Sequence, residues 1–296
     1  MAIDVECYEH PPRSLTELGV AILDTRHIKG AEPGFMGQDL FDFFYFYHFR
    51  MKENAHMINR TWVSSAPENF DFGKTRWLNQ DQAKPFLADC FQTRVSEDSD
   101  EFVPVLFLGH AMHGDEDLLR THFGVNVDDY GSIIAKVDTQ KMARELRLHR
   151  QLIGLRDLTT RFGIEPRHLH NAGNDIAYTM MDAIFLAFYK LMTRHVKYRN
   201  PYAHVDLTIF GIQQKIDTVM ANSSVSTYNT YGSEHFCLRC ERSNHSTRDC
   251  YAKIWCDRCK AAGKPVNMYK SHKTARCLRR DVPDLPEGSD YPELPQ

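Results

Sequence analysis

Asp4 and Glu6 stand on the first apolar run of the chain, Ile3-Asp4-Val5-Glu6. On a strand, where side chains alternate with a period of two, both acids share one face and Ile3 and Val5 share the other. Neighbouring carboxylates repel, and a hard divalent cation such as Mg²⁺, which prefers oxygen ligands, removes that repulsion. A D-x-E pair is common by chance, and a solvated strand face explains it equally well. Two further stretches bear on the choice. Gly109-His110-Ala111-Met112-His113-Gly114-Asp115 ends one apolar run and leads into a helical pattern. His170-Asn171-Ala172-Gly173-Asn174-Asp175 opens the clearest helical pattern, with four residues between its histidine and its aspartate. That gap lets a loop imidazole lean over a carboxylate on the first helical turn, and Gly173 permits close backbone packing at the junction.

A different chemistry lies toward the C-terminus, where six of the eight cysteines fall between Cys237 and Cys277. Cys237, Cys240, His245 and Cys250 have the C-x2-C-x4-H-x4-C spacing of a zinc knuckle, which offers three thiolates and one imidazole to a tetrahedral Zn²⁺. Cys256, Cys259, His272 and Cys277 keep both half-spacings with 12 residues between them, a candidate for a second structural Zn²⁺. Tyr251, Trp255 and Tyr269, with Phe236 just before, interleave with basic residues. Aromatics beside Arg and Lys suit stacking on unpaired bases while the cations meet phosphates. In the other reading they form the small core of a module that docks a protein.

These residues need a scaffold. Residues 3–6 and 18–23 read as two strands of a hairpin joined around Pro11-Pro12-Arg13, and residues 38–48, rich in aromatics, read as extended. Residues 79–95 read as a helix. Residues 103–110 and 132–138 read as short strands, followed by helical patterns near 139–148 and 155–162 and a long one from about Asn174 to Leu191. Alternating strands and helices define an α/β domain. The expected organisation is a domain over 1–220, a polar linker over 221–236, a cysteine module over 237–280 and a tail over 281–296. The tail has five acids, four prolines and no Lys or Arg, and reads as disordered.

Placed on these elements, Asp4-x-Glu6, Asp115-x-x-Leu118-Leu119 after Gly109-His110, and His170-x4-Asp175 resemble, in order, the three motifs of the DEDDh exonucleases. These are RNase H-like proteins such as the proofreading subunit of bacterial DNA polymerase III, RNase T and oligoribonuclease. Leu15-Thr16-Glu17-Leu18-Gly19 is similar to the family's entry into its second strand. Asp117 and His168 rival Asp115 and His170, but only the latter have the family spacing. The chain departs at Ala111 and Gly114, where the family usually has Asn and Phe. The resemblance implies an RNase H-like mixed sheet flanked by helices and 3′–5′ hydrolysis of a phosphodiester strand with two Mg²⁺ or Mn²⁺ ions. It further implies that Asp4 bridges the ions, that Glu6 and Asp175 complete one site and that Asp115 serves the other. His170 is then the general base.

Charge divides the chain in the same way. Residues 237–280 hold 12 Lys/Arg against 3 Asp/Glu, and the remainder carries a formal −12 within a total of −3. A basic patch favours a polyanion, so the expected partner is single-stranded nucleic acid, with RNA favoured because zinc knuckles mostly read single-stranded RNA. The zinc module or the acidic tail is an alternative docking point for a protein, and a non-catalytic adaptor is the alternative function. No run approaches the roughly 18–20 uninterrupted apolar residues of a membrane helix, and the N-terminus lacks a signal-peptide pattern. The expectation is an intracellular protein, cytoplasmic or nuclear, whose cysteines ligate metal rather than pair.

Overall fold

The computed structural model describes residues 1–193, 211–226 and 228–279. Two compact units divide the chain, Met1–Gly232 and Ser233–Gln296.

Unit 1 is built on strands β1 (Ala2–Cys7), β2 (Leu15–Leu23), β3 (Phe44–Met51), β4 (Arg76–Leu78), β5 (Val105–Gly109) and β6 (Ile133–Asp138). They form one sheet in the order β4-β3-β2-β1-β5-β6. β1, β2 and β3 run antiparallel, whereas β5 and β6 continue parallel beside β1, and β4 lies parallel beside β3. This is the mixed sheet of an RNase H-like α/β fold. The helices are α1 (Gln80–Phe91), α2 (His113–Leu118), α3 (Thr139–Glu145), α4 (Leu155–Arg161), α5 (Ala172–Thr193) and α6 (Ile212–Ser224).

The alternation along β1 sorts its side chains between two cores. Ile3 and Val5 join Leu18, Val20, Phe49 and the α1 residues Phe86 and Leu87 on one face. Ala2 joins Ala21, Phe46 and the α5 residues Ile176, Ala177 and Met180 on the other. The acids fall on this second face. The hairpin register sets Asp4 opposite Gly19 and Glu6 opposite Glu17, and β3 adds His48 beside Gly19 and Arg50 beside Glu17. The face therefore grades from apolar to charged toward the end of β1.

α5 lies across that gradient. Its 22 residues are long and apolar enough to cross a membrane by length and composition, and most of the helix is buried inside the unit. Gly19 is the seat for its first turn. A Cβ there would collide with the Ala172 carbonyl, and one on Gly173 would lie 2.6 Å from the His48 Cβ. Only glycines let the helix start sit directly on the strands.

Several segments differ from the sequence reading, among them the helix read over 79–95, which ends at Phe91. Residues 38–43 form a 3₁₀ turn after a left-handed Gly37, and the strand starts only at Phe44. The helix expected near 139–148 ends at Glu145. The stretch read as a linker, 221–236, belongs largely to unit 1. Residues 221–224 finish α6, the Tyr228 hydroxyl donates to the Phe46 carbonyl at 2.6 Å, and Arg76 Nε donates to the Tyr231 carbonyl at 2.7 Å. Polar composition misled there because the anchoring is done by tyrosine tips and backbone carbonyls. The tail over 281–296 lies outside the described residues.

Unit 2 carries two short helices, α7 (Asp257–Ala261) and α8 (Val266–Tyr269). Two residues of its first cysteine loop hold its two halves together. Arg239 donates to the carbonyls of Cys250 (2.6 Å), Lys270 (3.1 Å) and Ala252 (3.3 Å). Glu241 accepts from Lys273 at 2.7 Å and Arg276 at 2.6 Å.

Candidate active site and zinc centres

The five acid and imidazole positions come from β1, α2 and the start of α5. β1 and β5 pair at Ala2 and Leu108, with no further register partner along β1. The unpaired edge of β1 past that point exposes the Val5 N–H, which donates to Asp115 Oδ1 at 3.1 Å. α2 thus delivers Asp115 through a gap in the sheet. Asp175 is fixed from its own helix start, its Oδ2 accepting the His170 N–H at 3.1 Å. Ligand atoms of Glu6, His170 and Asp175 all lie within 4.8 Å of one another. Asp4 and Asp115 stand outside that group but close enough to repel it.

Burial and mutual repulsion keep these acids protonated far above the usual range. Asp4 is pushed well up by burial and then by Asp115, Asp175, Glu6 and Glu17. Glu6 is pushed well up by burial, Glu17, Asp175 and Asp115. Burial raises Asp115 to about 7 against the pull of the Val5 N–H. Burial, with repulsion from Glu17 and Asp115, raises Asp175 to about 8 in spite of the His170 N–H and Arg156. Asp4 Oδ2 and Asp175 Oδ1 are buried without a hydrogen-bond partner. Oxygen donors crowded together and lacking protein partners are what hard divalent cations satisfy, so the residues present fit Mg²⁺ or Mn²⁺.

His170 takes a left-handed backbone (φ 62) at the mouth of this cluster. Burial and the nearby Arg156 hold its pKa below 6.5, so it is a neutral imidazole near neutral pH and can accept a proton. The rivals are placed elsewhere. Asp117 pairs with Arg120 and His113 on the surface, and His168 Nδ1 lies 2.9 Å from Asp71 Oδ2. Ala111 also has φ 58, a conformation that Asn tolerates better than Ala. Asp138 steadies it by accepting the Ala111 and Met112 amides, each at 3.3 Å. At Gly114 a Cβ would meet nothing within 4 Å.

Sequence reasoning passed over Glu17 and Arg156. Glu17 Oε2 lies 2.9 Å from His48 Nε2 and accepts the Ala172 N–H at 3.3 Å, tying β2, β3 and α5 beside Glu6. His48 in turn meets Thr75 Oγ1 at 2.8 Å through Nδ1. The signal was available, since the hairpin register puts Glu17 directly across from Glu6. Arg156, on α4, acts on His170 and Asp175 through its charge, and no local pattern announces that.

In unit 2 both Cys/His sets converge, each with ligand atoms within 4.8 Å of one another. In each Cys-x2-Cys turn the second amide donates to the first sulfur at 3.4 Å. Cys240 Sγ lies 3.3 Å from His245 Nε2, and Cys259 Sγ lies 3.7 Å from Cys277 Sγ. Tetrahedral zinc with bonds of about 2.3 Å sets its sulfurs about 3.7 Å apart. The opposite ring nitrogens are held by Asn244 Oδ1 at 2.7 Å and Ser271 Oγ at 2.8 Å, which leaves Nε2 to face the cluster. Both donor sets fit zinc. Tyr251 is 96% exposed and Trp255 51%. Tyr269 is half-buried and packs against Cys256, Cys259 and Cys277, and Phe236 is buried.

An RNase H-like sheet bearing this acid cluster at the end of β1 defines a nuclease-type domain, and the chain belongs to the DEDDh exonuclease family. Residues 1–186 match the family described as DNA polymerase III subunit epsilon-like, C-terminal domain. The chain is also similar to the uncharacterized protein YDR514C of Saccharomyces cerevisiae, with 27% identity over 206 residues. That match covers 64% of this chain and 41% of the yeast protein, so the chain spans less than half the length of this curated relative.

Proposed function

We propose that this protein removes nucleotides from the 3′ end of single-stranded nucleic acid, RNA in preference to DNA, with two Mg²⁺ or Mn²⁺ ions held by unit 1. The observation that carries this reading is the pair of buried, partnerless oxygens, Asp4 Oδ2 and Asp175 Oδ1, inside a cluster of mutually repelling acids. Asp4, Glu6 and Asp175 would hold the ions, with Asp115 completing the set from its perch on the Val5 amide. Bound divalent ions stabilise the charge that develops on the attacking and leaving oxygens. A ring nitrogen of His170 takes the proton of the attacking water, the water oxygen bonds to phosphorus, and the bond to the 3′ oxygen breaks. The products are a nucleoside 5′-monophosphate and a strand shortened by one residue, its 3′ oxygen reprotonated.

Unit 2 is the strand-holding partner in this scheme. Its two zinc centres give a basic surface on which Tyr251 and Trp255 stand out, an arrangement suited to stacking on unpaired bases. A reducing intracellular compartment would keep its thiolates available for zinc. The test is incubation of the full chain with 5′-labelled single-stranded RNA and DNA in Mg²⁺, Mn²⁺ or EDTA, beside Asp4→Ala. A ladder of single-nucleotide steps that needs metal and Asp4 is expected. Strand binding without any ladder would make the protein an adaptor, and neither would leave unit 2 as a protein-docking module.

A further inference from the structure

Trp62 is 68% exposed, although the chain around it is firmly held. The Glu9 carboxylate accepts the amides of Arg60, Thr61 and Trp62, each at 2.8 Å. Asn59 accepts the Glu9 amide and donates to the Cys7 carbonyl, both at 2.8 Å. Residues 59–62 are thereby bolted to the continuation of β1. Burial would raise the Glu9 carboxyl, but the three amides outweigh it and pull it down to about 2, so the clamp stays ionised at any physiological pH. The His10 ring packs on the indole at a centroid distance of 5.2 Å and 52° between planes, and Tyr8 packs edge-on behind His10 at 5.3 Å.

Single exposed apolar side chains are ordinary on a protein surface. Trp62 differs in that its own amide and those of the two residues before it are fixed on Glu9 and a second ring packs on its side chain, while most of the indole is left open. A preorganised aromatic face binds a flat ligand with little loss of conformational entropy. Its place narrows the ligand further. Glu9 follows Glu6 by three residues, a reach of about 11 Å at most along an extended chain. Arg60 and Arg13 are exposed cations in the same region. An aromatic face with cations, clamped to Glu9 on the stretch that continues β1 past Glu6, matches an unpaired nucleobase and its phosphates.

We propose that Trp62, backed by His10, is a stacking shelf for an unpaired base near the strand end being cleaved. The proposal rests on the exonuclease reading above and adds to it the residue that seats the strand. It makes Trp62 a binding residue, with no part in bond breaking.

The experiment uses the full, zinc-loaded chain with Trp62→Ala and Trp62→Phe. Affinity for a labelled tetranucleotide is read by anisotropy in Ca²⁺, and KM and kcat are read separately in Mg²⁺. Base stacking of the usual strength predicts that Trp62→Ala weakens affinity by about 5- to 150-fold. KM should rise accordingly with kcat little changed, and Trp62→Phe should recover most of the loss. Hydrolysis of bis(p-nitrophenyl) phosphate, which has no base, should be the same in all three proteins. Unchanged tetranucleotide affinity in Trp62→Ala would overturn the shelf, as would an equal loss on the base-free ester. The binding arm decides this even if the wild-type chain cleaves nothing, a result that would overturn the exonuclease reading instead.

Discussion

Replacing Asp175 by Asn should destroy activity and, above neutral pH, make the metal-free protein more stable. Asp175 has its pKa raised from 3.8 to about 8 in the folded state, so the folded chain holds a proton there that the unfolded chain has released. Stability from this group is fully present below about pH 4 and is lost as pH rises through about 8. Four pKa units correspond to on the order of 5 kcal/mol. An asparagine amide keeps the acceptor for the His170 N–H but is itself a buried polar group, which takes back about 1–3 kcal/mol. The net gain at pH 8 is about 2–4 kcal/mol, or about 4–16 °C in the midpoint of a unit of this size. The assay is thermal unfolding followed by tryptophan fluorescence, since Trp77 is buried in unit 1, between pH 5 and 8 without added Mg²⁺ or Mn²⁺. The variant and the wild type should converge near pH 5 and separate toward pH 8, and Mn²⁺ should raise the wild-type midpoint much more than that of the variant. A wild-type midpoint that is flat or rises with pH, or a variant that melts lower at pH 8, would refute the argument that these acids repel one another in the absence of metal.

Other outcomes follow from single interactions. Gly19→Ala should drive a methyl group into the Ala172 carbonyl, lowering stability by about 1–3 kcal/mol and activity with it, as calorimetry and turnover would show. His170→Ala should slow turnover by roughly 10²–10⁴-fold while Mn²⁺ still raises the thermal midpoint; loss of that metal effect would make His170 a ligand. Arg239→Ala removes three hydrogen bonds, two at the end of the first zinc loop (Cys250, Ala252) and one to Lys270 in the second half, and zinc should pass faster to a colorimetric chelator from both centres. Truncation after Gly232 should leave cleavage of very short strands intact and weaken binding of long ones. Its log–log salt slope should be shallower by about 0.7 for each phosphate that unit 2 neutralises.

The hairpin, the acid-bearing face of β1 and the long helix were legible because they depend on local periodicity. The zinc sets were legible because ligand spacing is itself local. What escaped depends on distant partners. β4 has three residues and exists only by pairing in parallel with β3 across an intervening excursion. Glu17 looked like one polar residue in a buried strand until the hairpin register put it against Glu6. Tyr269 shares its composition with Tyr251 and Trp255, and only the fold of unit 2 turns it toward the cysteines. The domain boundary shifted from 220 to 232 because Tyr228 and Tyr231 reach back to β3, to Arg76 and to α1, where Tyr231 donates to Asp89 at 2.8 Å.

The seat at Gly19 also bears on the order in which the unit assembles. Asp4 and Glu6 reach their places when β1 pairs with β2, a nearby event along the chain. Asp175 joins them only when α5, far downstream, comes down on the finished hairpin, and closing so long a loop is slow. The hairpin alone carries the repulsion among Asp4, Glu6 and Glu17, and the share that Asp175 adds enters only when α5 docks. An unfavourable interaction that appears after the transition state speeds unfolding and leaves the folding rate nearly unchanged. Where α5 docks after the transition state, cations at this site would act on lifetime, slowing the departure of α5 without hastening its arrival.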